Sequence, residues 1–157
     1  MDWYWIGFTW KIQTSLVHGD YSPKNMMVRG DSIFLIDFEV VHWGDPAFDS
    51  AFLLNHLILK SFHRPQYADL YLRSARVFWQ ALVGGLNGVR TVDFEGMTVR
   101  HLGGLMLARM DGKSPVEYIR DERIKRSVRR TARSLLAERP KAFEAALEVV
   151  ARDVAEP

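Results

Sequence analysis

His18-Gly19-Asp20-Tyr21-Ser22-Pro23-Lys24-Asn25, followed twelve residues later by Asp37-Phe38-Glu39, decides how this chain is read. Asp20 and Asn25 stand at the two ends of a loop closed by Pro23, so both side chains can face one small volume. Asp37 ends an apolar run at 33–36, where a strand would give its carboxylate a rigid support. Two further β-type runs, 15–17 and 26–28, frame the loop. Gly30-Asp31 lies between the second and third runs and suits a hairpin turn. Strands this short need a helical layer behind them.

That layer follows directly. Residues 15–45 read as strands and loops, residues 46–154 as helices. Asp45 is placed to cap a helix, with Pro46 at the first helical position, where its missing N–H is harmless. Phe48, Ala51, Phe52, Leu53, Leu54, Leu57, Ile58 and Leu59 then surround the helix, and a helix apolar on every face is a buried one. A second helix is expected over 67–83, with Tyr67, Tyr71, Ala75, Phe78 and Leu82 on one stripe and Gly84-Gly85 and Gly88 ending it. A third is expected over 94–110, where Gly103-Gly104 suggests close helix contact or a kink. Ser114-Pro115-Val116-Glu117 reads as a capping box that starts a helix. Helices over 121–138 (Ile124, Val128, Ala132, Leu135) and 141–154 (Phe143, Leu147, Val150, Val154) complete the pattern. Trp3, Trp5, Phe8 and Trp10 make the start too apolar for a free tail, and it reads as the end of a packing helix.

Composition narrows the classes. At 157 residues the chain is about one domain, and we read 1–157 as a single domain with a catalytic region at 16–49 and a helical region at 46–154. Hydrophobic residues at 48% and charged residues at 25% argue against disorder. The absence of Cys removes disulfides, thiolate metal sites and Cys nucleophiles. A net charge of +2 does not call for nucleic acid. The basic residues of 120–141 recur as Arg123, Arg126, Arg130 and Arg133 opposite Ile124, Val128 and Leu135, the pattern of a solvated helix face. No apolar run approaches a membrane span, and the start lacks the charge and cleavage pattern of a secretory signal, so a cytoplasmic location is expected.

The loop residues fit one chemistry well. Transfer of a phosphoryl group to a hydroxyl needs a carboxylate to orient or accept the hydroxyl proton and hard oxygen ligands for Mg²⁺; positioning and charge neutralisation do most of the rest. Mg²⁺ prefers one or two carboxylates together with phosphate oxygens and water. Asn25 and Asp37 supply about that much.

The order of these residues carries a resemblance. His-x-Asp-x4-Asn followed by Asp-Phe is the catalytic-loop and metal-loop pattern of kinases, with Gly19 in place of the usual Arg and Glu39 in place of the usual Gly. Together with Ile36-Asp37-Phe38-Glu39 and Gly44-Asp45-Pro46-Ala47-Phe48-Asp49, it resembles the aminoglycoside phosphotransferase/choline kinase family. The resemblance is close over 16–56, and 107–115 resembles the helical lobe of such phosphotransferases. It implies an α+β, mainly α chain: the C-terminal helical lobe of the protein-kinase-like fold, with a short β-hairpin carrying the catalytic and metal loops. It implies ATP and Mg²⁺ as cofactors and a hydroxyl acceptor among small polar or cationic metabolites or aminoglycoside-like compounds. Asp20 would be the catalytic base, Asn25 and Asp37 the Mg²⁺ ligands that also hold the nucleotide, and His18 the structural histidine of the catalytic loop. Asp49, with Asp45, would support that loop, Asp49 through its backbone N–H groups. Ser22 stands where many relatives have His.

The resemblance also implies an N-terminal nucleotide-binding lobe of roughly 100 residues, a normal domain size. Only 17 residues precede His18, with one Lys (Lys11) and one Gly (Gly7). The isolated chain is therefore expected to be weak or inactive, to pair with a separate N-lobe, and to leave an apolar face where it self-associates. The second function class is a non-catalytic lobe or remnant that retains the site residues. A third is a zinc hydrolase built on His18, Asp20 and His42, by ligand type alone. His42, His56, His63 and His101 otherwise read as ordinary surface or core histidines.

Overall fold

Gly30 takes a left-handed backbone (φ 58°) between two short strands, and the fold around the loop follows from that turn. The computed structural model describes residues 14–86 and 93–156. The aromatic residues of 3–10, Lys11, Gly7 and Gly88 lie outside the described residues. Strand β1 (Ser15–Val17) precedes the loop; β2 (Met26–Arg29) and β3 (Ser32–Leu35) follow it as a hairpin, with Met26 opposite Leu35 and Arg29 opposite Ser32. A fourth strand, β4 (His42–Gly44), pairs antiparallel with β1, Leu16 facing Trp43. Among the described residues, the result is two small two-stranded sheets ahead of five α-helices. The sequence reading missed β4, because a three-residue strand whose partner is a distant segment has no local signature.

The helices are α1 (Ala47–His63), α2 (Ala68–Gly85), α3 (Phe94–Asp111), α4 (Glu122–Glu138) and α5 (Phe143–Ala155). Asp45 accepts a hydrogen bond from the Ala47 amide at 3.0 Å, so α1 is capped as expected but opens one residue later. No residue of α1 is exposed, in keeping with its apolar circumference. Leu54, Ile58 and Leu59 sit in one core with Leu102 and Met106 of α3, Val128 and Leu135 of α4, and Phe143, Leu147 and Val150 of α5. Gly103 is where α3 and α4 approach closely: a Cβ there would lie 2.9 Å from Leu136. Gly104 faces open space.

Two helix expectations need correction. On α2 the most buried positions are Ala68, Leu72, Ala75 and Trp79, while Tyr67 is exposed and lies just before the helix. Trp79 sets that rotation, because its ring stacks on Phe94 and packs at 5.0 Å from Phe143. Residues 114–117 start no helix. The Val116 amide instead donates to the Arg109 carbonyl at 2.9 Å, folding the segment back on the end of α3 and burying Val116 and Ile119 in the core. Asp121 is the residue that caps α4, through the Arg123 amide at 2.7 Å. Three of the five arginines of α4 lie in ion pairs: Arg123 with Asp121, Arg129 with Asp111 and Glu122, and Arg130 with Asp153.

Candidate active site

Gly19 explains the geometry of the loop. Its φ is 81°, and a Cβ would come within 2.8 Å of the Val40 carbonyl oxygen. A side chain at 19 would both strain the backbone and collide with the chain crossing above it. The tight turn lets one carboxylate hold two successive amides. Asp49, in the first turn of α1, accepts from the His18 amide at 2.7 Å and from the Gly19 amide at 3.0 Å. Burial pushes the Asp49 carboxyl above its ordinary range, against the lowering effect of those two bonds. We expect Asp49→Ala to destabilise the fold by about 1–3 kcal/mol, the cost of leaving buried donors unpaired. Hydrogen exchange at His18 and Gly19 should accelerate together; unchanged protection there would mean that the loop is held by something else.

His18 ties the loop to β3. Its Nε2 donates to the Ile36 carbonyl at 3.1 Å, which leaves Nδ1 to accept from the Asp20 amide at 3.3 Å. The imidazole also packs on Phe38, with ring centres 5.0 Å apart. Asn25 is buried and spans the loop: its Nδ2 donates to the Asp20 carbonyl at 2.9 Å and to Asp20 Oδ2 at 3.0 Å. The Ile36 amide donates to the Asn25 carbonyl at 3.0 Å, so the residue before Asp37 is anchored to the same loop. Asp37 itself is exposed and sits in the left-handed region at φ 69°.

The structure thus brings Asp20 and Asn25 into direct contact and ties His18 and Asp49 to the same loop. It holds Asp37 one residue beyond an anchored position. Asp45 stands apart from this group. It caps α1 and pairs with His101 Nε2 at 2.9 Å, both partners largely buried. The sequence reading treated His101 as an ordinary histidine, and a partner 56 positions away leaves no local sign. It also passed over Lys24, which pairs with Asp20 at 2.9 Å. Burial works to raise the Asp20 carboxyl, but the bonds and charge of Lys24 and the bond from Asn25 outweigh it and hold Asp20 below its ordinary range. Asp20 is therefore ionised at neutral pH, the state in which a carboxylate can accept a proton.

The donor set suits a hard divalent cation. Asn25 commits its amide nitrogen to Asp20 and keeps its carbonyl oxygen, and Asp37 offers a carboxylate. Among the described residues, no three His, Asp or Glu side chains gather as a zinc site would require. No helix among them is long and apolar enough to cross a membrane.

Residues 3–83, just over half of the chain, match the profile of the phosphotransferase enzyme family, APH. The chain belongs to this family. The match spans the whole loop, both small sheets and α1, and the family's general activity is phosphoryl transfer. Among curated proteins, none matches the chain. Membership accounts for a mainly helical chain with small sheets and agrees with the resemblance read from the loop motifs.

Proposed function

We propose that this chain is the C-terminal, kinase-like lobe of an ATP- and Mg²⁺-dependent phosphotransferase acting on a hydroxyl of a small molecule. The observation that carries the reading is the Asn25–Asp20 contact, inside a loop whose two preceding amides are held by Asp49. Asp20 is the base: its ionised carboxylate orients the acceptor hydroxyl and takes its proton. Lys24 keeps that carboxylate charged, and Asn25 fixes its rotamer. Asn25 Oδ1 and the Asp37 carboxylate would hold Mg²⁺ with the nucleotide phosphates. The bound ion supplies neutralisation of phosphate charge. His18 and Asp49 act on the backbone, not on the reacting atoms.

Met27, Val28, Ile33, Phe34, Ile36 and Phe38 are exposed on and beside the β2–β3 hairpin. Exposed apolar surface of this extent marks an association site, and a nucleotide-binding lobe seated there would close the ATP cleft over Asp37. The same surface favours the second reading, a lobe that binds a partner and does not turn over. The two separate in one assay. The chain is joined to a nucleotide-binding lobe of this family and given Mg²⁺ and ATP with a panel of hydroxyl acceptors. Acceptor-dependent ADP formation, abolished by EDTA, supports the enzyme; a stable two-lobe protein with no ADP above background supports the non-catalytic lobe.

A further inference from the structure

The turn of α1 that carries Asp49 is fastened to α3. His101 Nε2 donates to Asp45 Oδ2 at 2.9 Å, and Asp45 Oδ1 accepts from the Ala47 amide at 3.0 Å, so one carboxylate joins α3 to the opening of α1. Only 11% of the His101 side chain and 2% of the Asp45 side chain are exposed, which leaves little room for water to stand in for either partner. The Phe48 ring meets the His101 ring edge-on, with centres 5.8 Å apart. One turn earlier on α3, Thr98 Oγ1 meets Ser50 Oγ at 3.0 Å, with both side chains buried. Contacts to α3 thus fall at Asp45, Phe48 and Ser50, and Asp49 stands among them.

Asp49 is the residue of this turn that reaches the loop. Its carboxylate takes the His18 and Gly19 amides at 2.7 and 3.0 Å, and those two residues immediately precede Asp20. Hydrogen bonds weaken steeply when distance and angle are lost, so a carboxylate that bridges two amides tolerates little movement of its helix. A shift at Asp45 reaches the loop by two routes. One runs along the first turn of α1 to Asp49. The other runs through β4, whose last residue, Gly44, precedes Asp45 and pairs with Ser15 at the start of β1, the strand that leads into His18.

We propose that His101 is a positioning residue for the loop that carries Asp20. Through Asp45 it fixes the first turn of α1, and with it the grip of Asp49 on the two amides that set the place of Asp20. The effect on phosphoryl transfer rests on the phosphotransferase reading; the effect on the loop does not.

Hydrogen exchange in the ¹⁵N-labelled chain and kinetics of the two-lobe protein test it together. His101→Phe keeps a ring against Phe48 and removes the Nε2 donor. His101→Gln restores a donor, because a glutamine amide nitrogen extends about as far from the backbone as Nε2 does. Exchange at His18 and Gly19 should quicken at least about tenfold in His101→Phe and return to within roughly threefold of the parent in His101→Gln, while Leu135 and Val150 in the core keep their protection. Asp45→Ser covers the case in which His101→Phe, with a buried carboxylate left unpaired, does not fold. Its hydroxyl still caps α1 and leaves no buried charge, and it should quicken the same two amides. In the two-lobe protein His101→Phe should lower kcat at least about tenfold with KM for ATP unchanged, and His101→Gln should recover most of the loss. Exchange that quickens evenly through core and loop would overturn the proposal, as would unchanged exchange at His18 and Gly19 in every variant that folds. A His101→Gln variant as impaired as His101→Phe, or a parent kcat in His101→Phe, would overturn it too. Loop amides that respond as expected, in a two-lobe protein that forms no ADP with any acceptor, would leave His101 holding the loop and remove the phosphotransferase reading instead.

Discussion

Asp20→Asn should lower phosphoryl transfer by the two-lobe protein by about 10²–10⁴, the usual contribution of a positioned base. The substitution is close to isosteric, and an Asn at 20 still offers an oxygen to Asn25 Nδ2, which now bonds Asp20 Oδ2 at 3.0 Å. What it removes is the negative charge that accepts the proton and faces Lys24 at 2.9 Å. The ion pair is largely exposed on the Lys24 side, so its loss should change stability by no more than about 1 kcal/mol. The expected pattern is therefore a large fall in kcat with an unchanged melting curve. Turnover at the parent rate in a folded variant would take Asp20 out of the mechanism and leave the loop as a purely structural turn.

Phe143→Ala should produce the largest loss of stability. Phe143 is fully buried, and its ring meets Trp79 at 5.0 Å, which in turn stacks on Phe94. Its amide also donates to Glu95 at 2.6 Å, so the first residue of α5 is fixed at both ends. Removing an aromatic ring from such a site costs about 3–5 kcal/mol in lost transfer energy and residual cavity. That is a large share of the 5–15 kcal/mol typical of a domain. Urea unfolding monitored by Trp fluorescence measures it. A loss under about 1 kcal/mol would mean that α5 does not close the core as described.

Local signals carried further than tertiary ones. The hairpin around Gly30-Asp31 and the Asp45 cap of α1 were legible because each depends on residues a few positions apart. The buried circumference of α1 was legible because its apolar residues repeat around the whole helix. Ser114-Pro115-Val116-Glu117 misled because Val116 and Ile119 are wanted in the core, and burying them against α3 outweighs a capping box. On α2 the stripe was misplaced because Trp79 finds two aromatic partners far along the chain. The loop residues at 18, 20, 25 and 37 were readable as an ordered set. The His101–Asp45 pair is a product of packing between α3 and the segment that opens α1, and it leaves no local sign. The Lys24–Asp20 pair is local, four residues apart within the loop itself.

In the proposed function, Asn25 and Asp37 share one divalent ion beside Asp20. Mn²⁺ with ATP, added to the ¹⁵N-labelled two-lobe protein, tests it through paramagnetic broadening of amide signals. The signals of Asn25 and Asp37 should vanish first, with Asp20 close behind, and Asp37→Ala should suppress the broadening at Asn25. Broadening centred elsewhere on the molecule, or loss at Asn25 that Asp37→Ala leaves untouched, would contradict it.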